Sequence, residues 1–329
     1  MDKVSPCAVT YEINIKWICL DSCRHYLILR KNIFCTMTTT ERVYIIGGTG
    51  NIGTATVREL LKKGMSVTVY ARSPIKAQGL FGDNDKLAIV EGDLNDLKPF
   101  EESITGHTRL LLIVTDLSRI ATLKISLAQK AYAAGVQQIV DLSSITSGDS
   151  WRTSTIGRAH RVAEEGILAI QDRGAFVALR PGMFMSNQFH QDTHSIKSMN
   201  TIVGIAEPTG VQSWISSNDI GLIASNIFQD PIEKHGDAVY NILGDLVTCE
   251  GRAQILSKIL GRTITYTKVS QEQMYQSLTE QAGFPHLVAY DFLGLLSNPV
   301  TITPGLSILL GRQPETLAQY LEANKSLLL

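Results

Sequence analysis

The stretch Val43-Tyr44-Ile45-Ile46-Gly47-Gly48-Thr49-Gly50-Asn51-Ile52-Gly53 decides the fold. Its first four residues read as a strand buried on both faces. The strand runs into Gly47-x-x-Gly50-x-x-Gly53, which opens a helix expected over Ile52–Lys63. A chain turning this sharply needs glycine for the turn, for bare backbone against a pyrophosphate, and for close packing of helix on sheet. The helix N-terminus adds partial positive charge where phosphate would rest. Gly47, Thr49, Gly50, Asn51, Ile52 and Gly53 are therefore the candidate cofactor-binding residues of this loop. The plainer alternative is a tight turn that binds nothing.

Outward from that loop, short Val/Ile/Leu-rich runs alternate with helical segments. Strands are expected at Val43–Ile46, Ser66–Tyr70, Leu87–Val90, Leu110–Val114, Gln138–Leu142 and Phe176–Leu179, with helices at Ile52–Lys63, Leu94–Ile104, Leu117–Ala134 and Arg158–Asp172. Such alternation implies right-handed βαβ units, an α/β fold with a Rossmann-type doubly wound parallel sheet. After Pro181-Gly182 the rhythm breaks. Strands at Ala238–Leu243 and Thr263–Val269 and helices at Ile220–Phe228, Gly251–Leu260 and Gln271–Gln281 are expected there. The division expected is a dinucleotide-binding domain at 41–181 and a smaller C-terminal substrate-facing region at 182–329 that partly returns to the sheet. Met37-Thr38-Thr39-Thr40-Glu41 looks like an ordinary protein start. Residues 1–36 are thus expected to be an appended extension, with the fold beginning only after residue 40; a packed N-terminal helix is the alternative.

The second strand ends in Ala71-Arg72-Ser73-Pro74, with Lys76 beyond. An acid here would accept from a ribose 2′-hydroxyl and repel a 2′-phosphate, whereas a guanidinium pairs with that phosphate. Arg72, Ser73 and Lys76 therefore point to NADP(H) rather than NAD(H). Asp93 follows the third strand, where it could meet the adenine edge or cap the next helix. Thr115 follows the fourth, near the expected nicotinamide ribose.

The 329 residues carry 30 basic and 31 acidic side chains, a formal net charge of −1, so no field of one sign draws the chain to nucleic acid or an anionic membrane. No apolar run reaches the roughly 18 residues a bilayer span needs. Cys7, Cys19, Cys23 and Cys35 precede the glycine loop and only Cys249 follows it. Cys19-x-x-x-Cys23 lacks a second ligand pair, so no metal is expected. A single cysteine in the body of the chain suits a reducing, cytoplasmic setting. The partner expected is a small-molecule substrate; the oligomeric state, a homodimer included, is left open.

Several segments resemble the NmrA-like, atypical short-chain dehydrogenase family, and within it the branch of agroclavine (festuclavine) dehydrogenases and NADPH-quinone reductases. They are His160-Arg161-x-x-Glu164, Leu179-Arg180-Pro181-Gly182-x-Phe184-Met185-x-Asn187, Trp214-Ile215-x-x-x-Asp219-Ile220, Leu260-Gly261-Arg262, and Leu310-Gly311-Arg312-Gln313-Pro314-Glu315-Thr316-Leu317. The resemblance runs from Glu41 to the C-terminus. It implies an NADP(H)-dependent reductase of a small, flat, electron-poor molecule, in secondary metabolism; a non-catalytic dinucleotide sensor and a recruited isomerase or cyclase are the alternatives.

In the main branch of short-chain dehydrogenases a serine at the fifth strand's end is followed by a Tyr-x-x-x-Lys pair that donates the proton. Counting from Ser144 in Asp141-Leu142-Ser143-Ser144 places Gly157 and Arg161 there, and Tyr-x-x-x-Lys occurs nowhere in the chain. Reduction of a ketone builds negative charge that a donor must quench. An iminium, quinone or enone accepts hydride with little such help, so these are the expected acceptors. Ser144 and His160 are the candidate catalytic residues, His160 as a proton relay set against a packing histidine. Phe184, Met185 and Asn187 are candidates for the substrate pocket, with core packing at a strand exit as the alternative.

Overall fold

In a computed structural model the described residues are 41–329 except 151, 298–302 and 304. The expected N-terminal extension and four of the five cysteines lie outside them. The first half alternates as its sequence pattern demands: β1 (Arg42–Ile46), α1 (Asn51–Lys62), β2 (Ser66–Ala71), α2 (Pro74–Phe81), β3 (Leu87–Glu91), α3 (Lys98–Ser103), β4 (Arg109–Leu112), α4 (Ile120–Ala133), β5 (Gln138–Leu142), α5 (Thr155–Leu168) and β6 (Ala175–Pro181). A seventh strand, β10 (Val239–Ile242), joins the same sheet beside β6. All pairings are parallel, in the order β10-β6-β5-β4-β1-β2-β3. The order reverses between β1 and β4, opening at their C-terminal ends the crevice in which such sheets bind ligands.

Both faces of the sheet are covered, which is why its strands read as continuous apolar runs. Within β1, Val43 and Ile45 point to one layer and Tyr44 and Ile46 to the other, all buried. The first layer holds α1 and α8 (Ser217–Ile227), with Leu60 of α1 and Ile220 and Ile223 of α8 at its centre. These helices come so close that a Cβ on Gly221 would stand 2.6 Å from that of Ala55. The second layer holds α3, α4 and α5, with Phe100, Leu127 and Ile167 packed on Leu110 and Leu112.

The region after β6 contributes β7 (Met183–Phe184), β8 (Thr201–Gly204), β9 (Val211–Ile215), β11 (Asp245–Thr248) and β12 (Thr265–Lys268) as two small sheets, β11-β9-β7 and β12-β8. Short helices α6 (Asn187–Gln191), α7 (Thr193–Met199) and α9 (Ile232–His235) interleave with them, followed by α10 (Cys249–Leu260), α11 (Gln271–Gln276), α12 (His286–Ser297), α13 (Leu306–Leu310) and α14 (Leu317–Ala323). A third core of Met185, Trp214, Leu256, Leu317 and Leu321 holds this region together. No helix among the described residues is long and apolar enough to cross a membrane.

Boundaries moved where side chains compete for backbone N–H groups. The helix expected from Leu94 begins at Lys98, because Asp93 accepts from the amide of Asn95 and Asp96 from that of Lys98. The helix expected from Leu117 begins at Ile120, after Asp116 has taken the amide of Ser118 and the guanidinium of Arg119. The helix α2 was not anticipated, although Ser73-Pro74 is a start signal of cap and first-turn proline. The helix expected over Gln271–Gln281 stays regular to Gln276 and then widens into a π turn at Ser277–Gln281.

Candidate functional site

The phosphate loop has the geometry its glycines imply. Gly47 has φ +79°, a conformation that favours glycine. A Cβ on Gly53 would lie 2.2 Å from the Gly47 carbonyl oxygen, so the first turn of α1 can sit on the loop only without a side chain there. Gly50 differs. It has φ −85° and ψ 173°, and a Cβ there would meet only the Gly47 oxygen at 3.5 Å. Neither strain nor crowding within the protein demands glycine at 50. The N-terminus of α1 beside it has no side-chain cap and no acid in its first turn, which leaves the helix dipole open to an anion. Thr49, Asn51 and Ile52 complete the loop, with Asn51 exposed and Ile52 half-buried against the core.

At the end of β2, Arg72 is exposed, and no described residue forms a hydrogen bond or ion pair with its guanidinium. Ser73 caps α2 by accepting from the Lys76 amide at 3.3 Å, which places exposed Lys76 in the first turn of the helix. Arg72, just before the cap, and Lys76, in the first turn of the helix, fit a dinucleotide bearing a 2′-phosphate. We expect Arg72→Asp to weaken NADPH binding about thirty- to a hundredfold, a charge-assisted contact having become a repulsion, and NADH binding far less. Calorimetric titration of both coenzymes decides it, and equal weakening would remove Arg72 from 2′-phosphate recognition.

Asp93 does not cap the following helix, whose N-cap position is Leu97. One carboxylate oxygen accepts from Asn95, and its carbonyl accepts from the Tyr70 hydroxyl at 3.1 Å. Thr115 is exposed beyond the end of β4.

The end of β5 is organised by groups the sequence reading passed over. Lys124 of α4 is fully buried. Its ammonium lies 2.7 Å from Asp141, also fully buried, donates to the Leu142 carbonyl at 2.8 Å, and approaches Nδ1 of His160 at 3.3 Å. Burial pushes the Asp141 carboxyl upward, and the Lys124 charge opposes that rise. An ammonium has protons only to give, so Nδ1 of His160 accepts and Nε2 carries the ring proton. Burial and the neighbouring Lys124 charge hold the His160 pKa down at about 3. A pKa so low leaves His160, 7 % exposed, neutral near pH 7, which favours the packing histidine over the proton relay.

The consequence for acid stability has a definite sign. The folded pKa lies below the ordinary 6.5, so between pH 6.5 and about 3 the unfolded chain binds a proton that the folded chain refuses. Stability from this group is present above pH 6.5 and falls as the solution is acidified. His160→Asn should therefore melt below wild type at pH 7.5 and close that gap as pH falls to 4.5. A gap constant with pH, measured by thermal melts, would show that the imidazole titrates normally.

The resemblance-bearing segments pair with one another. Glu164, buried on α5, accepts from Ser143, from Ser147 at 3.2 Å and from both Nε and a terminal nitrogen of Arg180 on β6. His-Arg-x-x-Glu and Leu-Arg-Pro-Gly are thus two halves of one clamp across β5 and β6. Likewise Asp219 at the start of α8 accepts from Arg312 at 2.6 Å and from the Glu315 amide at 2.8 Å, joining Trp-Ile-x-x-x-Asp to Gly-Arg-Gln-Pro-Glu.

Ser144 caps the 3-10 turn Ile145–Gly148 and shares a hydrogen bond of 2.8 Å with Thr146. Gly157 explains the missing donor in steric terms: a Cβ there would stand 2.2 Å from the Thr146 carbonyl oxygen. No tyrosine could occupy that position with the turn where it is. Arg161, at the place of the lysine, donates instead to the Asp149 carbonyl at 3.1 Å and pairs with Glu165 at 3.4 Å.

Beside that turn lies a cavity of about 500 Å³ between the start of α5 and α12, with Thr146, Asp149, Ser154, Gln271, Tyr290 and Asp291 on its walls. Asp291 binds α12 to α5: its carboxylate accepts from the Ser154 hydroxyl and from the amides of Thr155 and Ile156. Of the residues expected to line the substrate pocket, Met185 is corrected. It is fully enclosed in the third core against neighbours such as Trp214, where no ligand reaches it. Phe184 is half-buried and packs on the first core, and Asn187 is half-buried at the start of α6. Neither is among the residues of the cavity beside the turn.

Comparison with known proteins agrees with this fold. The model of the NmrA-like family matches residues 39–297. An NAD(P)H azoreductase of Xenophilus azovorans is 24% identical over 289 residues, 86% of this chain and 97% of its own. An agroclavine dehydrogenase of Claviceps fusiformis is 25% identical over 247 residues, 72% of this chain and 81% of its own. Among solved structures, an NADPH-dependent quinone oxidoreductase of Escherichia coli in complex with NADPH superposes with a TM-score of 0.73 at 22% identity, covering 86% of this chain and 99% of that one.

Proposed function

The chain belongs to the NmrA-like family, and from that premise we propose that it is an NADPH-dependent reductase transferring hydride to a small conjugated electrophile: an iminium, a quinone or an enone. The observation that carries the reading is that any side chain at Gly157 would run into the Thr146 carbonyl, which closes the position from which a tyrosine would protonate a ketone. An acceptor used here must take hydride without that help. The relatives named for azo-compound, clavine and quinone chemistry support the same class, and the clavine relatives favour a place in secondary metabolism.

NADPH, when bound, supplies the hydride. The protein's part is to hold and orient. The loop Gly47–Gly53 and the dipole of α1 would anchor the pyrophosphate, and Arg72 and Lys76 the 2′-phosphate. The Lys124–Asp141–His160 cluster fixes the end of β5, and the Glu164–Arg180 clamp fixes the turn that Ser144 caps. In this reading Ser144 and His160 position the reacting end as fixed, neutral hydrogen-bonding groups. The test is NADPH oxidation followed at 340 nm with cyclic iminium salts, quinones and enones. Turnover with members of this panel is expected. Tight NADPH binding with no oxidation by any of them would overturn the reading and favour a dinucleotide-binding regulator or an isomerase.

A further inference from the structure

The cavity between the Ile145–Gly148 turn and α12 has a charge pattern of its own. Its described lining includes two carboxylates, Asp149 and Asp291, an aromatic ring, Tyr290, and no lysine, arginine or histidine. Asp291 is already committed to the hydroxyl and two amides at the start of α5, where the helix dipole balances its charge. Asp149 is different. Its backbone closes the turn, its carbonyl accepts a hydrogen bond from Arg161, and no described residue bonds to its carboxylate. Arg161, whose guanidinium reaches the Asp149 carbonyl, pairs through its Nε with Glu165 rather than with the Asp149 carboxylate. Partial burial, with no opposing cation, raises the Asp149 pKa.

We infer that this cavity is the acceptor site and that Asp149 is its specificity-determining residue, selecting acceptors that carry a delocalised positive charge over neutral ones of similar shape. The inference rests on the reductase reading above and deepens it. A half-buried carboxylate lacking a counter-ion gains most from a ligand that brings one, and an aromatic wall adds attraction for a flat cation. The chemistry balances without a protein acid. The hydride forms a C–H bond at the iminium carbon, the C=N π pair moves to nitrogen, and the positive charge passes to the oxidised nicotinamide. A quinone needs one solvent proton in addition.

The test compares N-methyl-3,4-dihydroisoquinolinium with 2-methyl-1,4-naphthoquinone as acceptors for NADPH. Asp149→Asn should lower the ratio of kcat/KM for the cation to that for the quinone by about tenfold or more. Asp149→Glu, which restores the charge, should keep the ratio within about threefold. A ratio unchanged in Asp149→Asn, or lowered as much in Asp149→Glu, would overturn the assignment. If the wild-type protein reduces neither compound, the reductase reading is decided by the full acceptor panel, and binding decides this inference. Calorimetric titration of the isoquinolinium into NADP⁺-loaded protein should then show binding that Asp149→Asn weakens about tenfold. Absent or equal binding would overturn it.

Discussion

Gly50→Val should abolish NADPH binding while leaving the fold intact. The dissociation constant is expected to rise more than about a hundredfold, roughly 2.7 kcal/mol of lost binding, with NADPH oxidation lost in parallel. The melting temperature should move little, because the Gly50 backbone is in an extended region open to any residue and a Cβ there makes only an ordinary contact, with the Gly47 oxygen at 3.5 Å. A valine at the start of α1 costs about 1 kcal/mol or less, as a poorer N-cap than glycine. Gly53→Ala is the contrasting change. Its Cβ would meet the Gly47 oxygen at 2.2 Å, so loop and helix must separate and the protein should melt early whether or not NADPH is present. Binding by Gly50→Val within a few-fold of wild type would mean that the pyrophosphate does not pass over this loop.

Lys124→Met is expected to destabilise the protein by about 3–5 kcal/mol at neutral pH. It removes one member of a fully buried pair and strands the other. The carboxyl left behind, Asp141, is already pushed upward by burial, and without the ammonium nothing opposes that push. A folded pKa above the unfolded one means that ionisation costs stability. The deficit should therefore be largest at neutral and alkaline pH and shrink as the solution is acidified through the range where Asp141 takes up a proton. Replacing both partners, Lys124→Met with Asp141→Leu, should recover most of the loss. Denaturant unfolding at several pH values checks all three. A small, pH-independent deficit in the single variant would show that water reaches the pair.

The six strands β1–β6 were legible because a parallel sheet covered on both faces needs no alternation, and runs such as Tyr44-Ile45-Ile46 and Gln138-Ile139-Val140 announce it. The phosphate loop was legible for the same local reason, since strand, glycine spacing and helix are contiguous. The strands after β6 were harder. Met183–Phe184 is only two residues long, and Val211–Ile215 buries Gln212 and Ser213 among apolar neighbours, so neither shows a period. Lys124 left a signal that was missed: it falls on the buried stripe Ile120, Leu123, Lys124, Leu127, Ala131 of α4, where a charge requires a partner. The role of His160 could not be read without that lysine, because its pKa is set by burial and by a charge 36 residues earlier in the chain. Asp149 and Tyr290 come together only through the docking of α12 on α5, a contact with no local signature. Four of the five segments that carry the family resemblance turned out to be the ends of two ion pairs with buried carboxylates, Glu164 with Arg180 and Asp219 with Arg312.

The central claim is direct hydride transfer from bound NADPH to an electrophilic carbon. Turnover of N-methyl-3,4-dihydroisoquinolinium with NADPH deuterated at C4 on both faces, followed by mass analysis of the product amine, tests it most directly. The account predicts one deuteron retained on carbon per NADPH consumed. A product without deuterium, or no product while NADPH remains bound, would contradict it.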